Sequence, residues 1–210
     1  MALPAIAAYA MPAADELPAN RVAWTPDPRR ALLLVHDLQN HFLGAFTPDA
    51  SPLVELLANT GRLTGRARKL GIPVVYSVQP GGRSPAQRGL QQDFWGPGLP
   101  GDPYARAIPA AVTPQVGDTV LTKRKYSAFA RTRLLGRMRE LGRDQLVVAG
   151  VYAHIGVMVT ACDAWTHDVQ TFLVADAVAD FSREDHDIAL RWAAGQCAAV
   201  TTTDALLGAN

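Results

Sequence analysis

The run Ala31-Leu32-Leu33-Leu34-Val35-His36 leads directly into an acid, Asp37. A carboxyl group carried to the end of an apolar stretch cannot remain in a core without partners. It is therefore either an N-cap or hydrogen-bonded loop acid, or a proton donor or base in a mostly closed pocket. Burial would raise its pKa and a nearby ammonium would lower it; the sequence does not decide between them. The second candidate segment is Lys123-Arg124-Lys125-Tyr126-Ser127-Ala128-Phe129. Its cations read first as a solvated charge run, with strand alternation placing Lys123 and Lys125 on one face and Arg124 on the other. Arg88 suits bidentate carboxylate recognition if it meets a ligand, and is solvated otherwise. Phe42, Trp95, Tyr126, Phe129 and Tyr152 suit the wall of a pocket for a small ring, and equally suit core or dimer packing.

Several chemistries lack their residues. Asp37, His36, His41 and His154 match no tight ligand spacing, so no metal is expected, and His154 reads as a hydrogen-bonding group at a strand end. No Walker sequence and no G-x-G-x-x-G follows a strand, and the elbow of a Ser-His-Asp hydrolase is missing. Cys162 and Cys197 read as buried free thiols in helices, in a reducing compartment. A net charge of +1 gives no electrostatic case for nucleic acid or an anionic membrane surface. No apolar run approaches the roughly 18 residues of a membrane span. The N-terminus has no basic region, and Pro4 and Pro12 interrupt its apolar stretch. Residues 1–28 are thus expected to form an N-terminal arm rather than a signal peptide, and the protein is expected to be cytoplasmic.

The elements that must position these residues alternate between strand and helix. With 210 residues, 49% of them hydrophobic, one domain over 1–210 is expected. Strands are read at 31–37, 72–78, 118–122, 145–150, 169–175 and 198–202. Helices are read at 53–70, ending at Gly71, and at 132–141, 155–167 and 183–196, with a short one from Asp204. Leu53, Leu56, Leu57, Thr60, Leu63, Ala67 and Leu70 line one side of the first helix, and Ser182 is the expected N-cap of the fourth. The pattern predicts an α/β fold with a doubly wound, mainly parallel, Rossmann-like sheet and helices on both faces, in three layers. Such folds bind ligands beyond the C-terminal ends of their strands. Asp37, Gln79 and the turn from Tyr152 to Gly156 all fall there. Residues 80–117, rich in glycine and proline, are read as an irregular insertion that covers the substrate.

These segments resemble the isochorismatase family of cysteine-hydrolase-like proteins. The resemblance is carried by Leu34-Val35-His36-Asp37-Leu38-Gln39, Asp93-Phe94-Trp95-Gly96-Pro97-Gly98, Lys123 to Phe129, Gly150-Val151-Tyr152-Ala153-His154-Ile155-Gly156 and Val174 to Ser182. Related hydrolases would place a nucleophilic cysteine where Gly156 stands. The likeness is closest to the thiol-lacking branch, which holds siderophore-pathway isochorismatases and the phenazine-pathway enzyme acting on 2-amino-2-deoxyisochorismate. It implies a cofactor-free, usually dimeric vinyl-ether hydrolase that releases pyruvate from a chorismate-derived substrate. Asp37 would protonate the enol ether and Lys123 would bind and orient the substrate. Gln79, Arg88, Tyr152 and Gly156 would hold its carboxylates and ring; Phe42 and Trp95, with Tyr126 beside them, would pack on it. Because the sequence stops at Asn210, no carrier-protein domain is expected, which favours a phenazine-like or other secondary-metabolite route. The other readings are a cysteine-type amidohydrolase and a non-catalytic family member.

Overall fold

The computed structural model describes residues 3–207. Six strands run in the order β3-β2-β1-β4-β5-β6, and every pair is parallel. They are β1 (Ala31–His36), β2 (Val74–Val78), β3 (Thr119–Thr122), β4 (Gln145–Val151), β5 (Gln170–Ala179) and β6 (Ala198–Thr201). All residues of β1 and β4 are buried, as expected of central strands covered on both faces.

Two apolar clusters sit on opposite faces of the sheet and make the third dimension of the fold. On one face Leu33, Val35, Val147 and Val174 meet Leu56, Leu63 and Ala67 of α2 (Leu53–Lys69); α1 is the single turn Asn40–Leu43. On the other, Leu32, Leu34, Val148 and Leu173 pack with residues of the helices that follow β3, β4 and β5. Leucine and valine side chains buried this way each contribute about 1.5–3 kcal/mol, enough to offset the ordering of the backbone beneath them. The doubly wound, three-layer architecture is therefore present, with an all-parallel sheet.

Element limits depart from the expected ones where side chains compete with the backbone. The segment between β2 and β3 carries three one-turn helices, α3 (Pro85–Arg88), α4 (Gln91–Trp95) and α5 (Pro103–Arg106). The helix read from Thr132 is α6 (Leu134–Glu140), because the Thr132 hydroxyl accepts the Leu134 N–H and takes the role of a cap. The helix read from Ile155 is α7 (Met158–Thr166), preceded by a wide π turn over Ala153–Val157. Strand β5 runs four residues past the expected Ala175, since a register shift opposite Val148 and Gly150 turns Asp176 out of the sheet. There its carboxylate accepts the N–H and hydroxyl of Thr203, the first residue of α9 (Thr203–Leu207). The helix α8 (Arg183–Gln196) begins as read, with the Ser182 hydroxyl accepting the Asp185 N–H. Leu70 lies just beyond α2 and is 40% exposed, so it is not part of the buried stripe.

The chain leaves β1 for β2 and β3 on one side, then returns to place β4 on the other side of β1. The C-terminal ends of β1 and β4 therefore border the crevice where ligands bind in such sheets. No described helix is long and apolar enough to cross a membrane.

Candidate active site

Asp37 leaves β1 with a left-handed backbone, φ 52°, which a short polar side chain tolerates better than most. This turn delivers its carboxylate to three donors. Ser77 Oγ donates to Oδ1 at 2.7 Å, Gln79 Nε2 donates to Oδ2 at 2.9 Å, and Lys123 Nζ stands 2.8 Å from Oδ2. Ser77, Gln79 and Lys123 come from the ends of β2 and β3, so parallel strand packing assembles the cluster. Burial acts to raise the Asp37 pKa, but the Lys123 charge, together with the bonds donated by Lys123 and Gln79, outweighs it, and its pKa lies below the usual value. The opposition left open by the sequence is thus resolved in favour of the carboxylate.

Lys123 is as buried as its partner, at 2% exposure. Its ammonium also donates to the carbonyls of Lys125 and Tyr126, at 3.0 and 3.2 Å. Three donors thus have three acceptors. The strand alternation expected for 123–125 does not apply, because β3 ends at Thr122 and the chain curls back toward the ammonium. Arg124 is exposed.

Above this pair lies a cavity of about 450 Å³, within the range of small-molecule sites. Asp37, Lys123, Phe42, Gln79, Arg88, Trp95, Tyr126, Tyr152 and Gly156 all line it. Arg88 is 4% exposed and has no carboxylate partner among the described residues. Its guanidinium donates to the carbonyls of Gly96 and Gln91. Gly98, at φ +65°, makes room for it: a Cβ there would lie 2.8 Å from Nη2. A buried guanidinium held this way, beside an apolar wall, is a ready receptor for an anion. The wall is a chain of rings. Trp95 stacks on Phe181 at 5.9 Å, and Phe181 lies 4.2 Å from Tyr152. The Trp95 indole donates to Tyr126 Oη at 2.7 Å, and the Tyr152 hydroxyl donates to the Phe42 carbonyl at 2.7 Å. Phe129 lies elsewhere, buried in the core against His167.

Sequence reasoning did not assign His36, Leu3, Phe181 or Gln39. His36 and Phe181 line the cavity, and Leu3 reaches it from the N-terminal arm. Gln39 is fully satisfied: its amide donates to the Gln79 and Arg106 carbonyls, both at 3.0 Å, and its oxygen accepts the Gln79 N–H at 2.7 Å. It ties both ends of the 80–106 segment to the loop bearing Asp37. The adjacency of His36 and Gln39 to Asp37 was the available signal; nothing local marks Leu3 or Phe181. His154 pairs with buried Asp180, Nδ1 to Oδ1 2.7 Å, a hydrogen-bonding role at the turn. No group of three or more His, Cys, Asp or Glu side chains gathers among the described residues, and no cysteine lines the cavity.

Known proteins resemble this chain in both sequence and fold. Residues 31–205 match the isochorismatase domain family. An isochorismatase of Bacillus subtilis (strain 168) is 55% identical over 207 residues, 99% of this chain and 66% of that protein. The phenazine biosynthesis protein PhzD of Pseudomonas fluorescens is 49% identical over 202 residues, 96% of this chain and 97% of that protein. The fold matches a solved cysteine hydrolase of Pseudomonas syringae pv. phaseolicola 1448A with a TM-score of 0.79, covering 90% of this chain and 95% of that one, at 22% identity. With a domain match across all six strands and about half of its residues shared with such relatives, this chain belongs to the isochorismatase family.

Proposed function

We propose that this protein hydrolyses the enol-ether bond of isochorismate or of 2-amino-2-deoxyisochorismate. The products are pyruvate and a dihydro-dihydroxybenzoate, or pyruvate and trans-2,3-dihydro-3-hydroxyanthranilate. The observation that carries the reading is the buried Asp37 at the base of a ring-walled cavity that no thiol lines. An enol ether is opened by protonation at carbon and needs no nucleophilic side chain.

In the proposed sequence the Asp37 carboxyl gives its proton to the terminal methylene, which becomes a methyl group. The adjacent carbon becomes an oxocarbenium ion, stabilised by the carboxylate just formed. Water adds to that carbon and returns a proton to Asp37. The hemiketal then breaks its bond to the oxygen carried by the ring: that oxygen takes up a proton and leaves as an alcohol, while the hemiketal hydroxyl gives up its proton and becomes the ketone of pyruvate. Asp37 must be protonated at the start, although Lys123, Ser77 and Gln79 favour its carboxylate. The substrate's own carboxylates supply the change. An anion seated at Arg88 offsets the local positive charge and excludes water, and both effects raise the Asp37 pKa. Lys123 holds and orients Asp37, and Phe42, Trp95 and Tyr152 flank the ring.

A cysteine-type amidohydrolase needs a thiol at the turn, where Gly156 stands. A non-catalytic role leaves the buried Asp37–Lys123 pair without a purpose, and such pairs contribute little to stability by themselves. Assembly as a homodimer and action without a cofactor are proposed on the family likeness, to be tested by sedimentation and by activity after chelation.

The test is pyruvate release from each substrate. Asp37→Ala is expected to lower kcat by more than ~10²-fold, and iodoacetamide is expected to leave the parent protein active. Full activity of the variant would discard the assignment of Asp37; no pyruvate from either substrate would discard the function. The ratio of kcat/KM for the two substrates decides the ring substituent.

A further inference from the structure

His36 closes β1 and is 1% exposed. Its Nδ1–H donates to the Val151 carbonyl at 2.8 Å, which leaves the lone pair on Nε2. That Nε2 is buried with no hydrogen-bond partner among the described residues. The ring is held against Gly156. A Cβ built on Gly156 would overlap Cε1 and would lie 3.0 Å from Nε2 and 3.3 Å from Nδ1. The backbone of His36 blocks Gly150 in the same way, since a Cβ there would lie 2.7 Å from its N and 2.8 Å from its C.

The two glycines differ in why they are glycine. Gly150 has φ +122° and would be strained with any side chain. Gly156 is not among the positive-φ glycines, so its backbone makes no such demand. The neighbour that forbids a side chain at 156 is the His36 ring. That ring cannot simply swing away, because its Nδ1–H is committed to Val151 and its backbone is paired with Gly150 in the sheet.

We infer that His36 is the residue that determines which chemistry this turn can host. Its ring occupies the volume of a residue-156 side chain, so the site excludes a nucleophile there and leaves the reaction to Asp37. By holding the Val151 carbonyl, it also positions the turn bearing Tyr152 and Gly156 against the end of β1. The exclusion of a side chain at 156 rests on shape alone; that the reaction then falls to Asp37 rests on the function proposed above.

The experiment varies positions 36 and 156 singly and together. Gly156→Cys alone is expected to lower the melting temperature by roughly 4 °C or more, the cost of overpacking. Its introduced thiol, identified by peptide mass, is expected to resist iodoacetamide. His36→Asn keeps a donor at the Nδ1 position for Val151 and removes the outer ring. In that background Gly156→Cys is expected to cost less than half as much in melting temperature, and its thiol to alkylate at least about tenfold faster. Melting shifts that simply add, or a Gly156→Cys chain that melts like the parent, would overturn the inference. If the His36→Asn chain does not fold, His36→Val carries the same comparison, and failure of both to recover with Gly156→Cys also overturns it.

Discussion

Asp37 and Lys123 depend on each other for burial. Each is almost wholly buried, and each supplies the other's counter-charge. Removing one partner of such a pair costs about 3–5 kcal/mol, because the remaining charge is stranded. Lys123→Met removes the nearest cation from Asp37, and with it the largest of the effects that lower the Asp37 pKa. Burial then dominates and raises that pKa. The protonated acid therefore persists to higher pH. The limb along which kcat/KM falls with rising pH is expected to move upward in Lys123→Met, even as the maximal rate drops. A pH–rate profile of both chains checks this. An unmoved limb would separate that limb from the Asp37 proton.

Among the elements, the stretch from β2 to β3 contributes most to the cavity. Its one-turn helices α3 and α4 are too short to be stable alone. They are held by Gln39, which grips Gln79 and Arg106 on either side of them, and by the Arg88 guanidinium, which spans the Gln91 and Gly96 carbonyls. Gly98 permits that span. Gly98→Ala is expected to push Arg88 off its carbonyls, because the added methyl meets the guanidinium and φ +65° disfavours alanine. On the reading that Arg88 binds a substrate carboxylate, KM is expected to rise roughly tenfold or more, with a smaller change in kcat. Steady-state kinetics of the variant, beside Arg88→Met, test whether the two changes share one cause.

On the scale of the whole molecule, a buried polar network joins the N-terminal arm to the sheet and α8. His186 Nε2–H donates to the Ala175 carbonyl at 3.1 Å, so its Nδ1 is free to accept from the Tyr9 hydroxyl at 3.2 Å. The Tyr9 oxygen in turn accepts the Asp180 N–H at 2.8 Å. Burial pushes the His186 pKa down to about 4, and that of His36 likewise to about 4. In the unfolded chain both titrate near 6.5. Between those values the unfolded state binds more protons, so stability falls as pH falls. The melting temperature is expected to decline between pH 6.5 and about 4. His186→Gln keeps a donor toward Ala175 and is expected to flatten that decline; an unchanged slope would place the effect elsewhere.

Some of this was written in local sequence. Apolar runs, glycine stops and the Ser182 cap specified the strands and helices, because each depends on neighbours within a few residues. An acid ending a central strand marked Asp37 for the same reason. What local order does not contain is which strand ends meet. Asp37, Gln79 and Lys123 come from three strands and touch only because β1, β2 and β3 lie side by side in parallel. The depressed pKa of Asp37, the carbonyls that hold Arg88 and the ring that keeps position 156 bare are also through-space effects. They depend on distances between segments far apart in the chain, and only packing sets those distances.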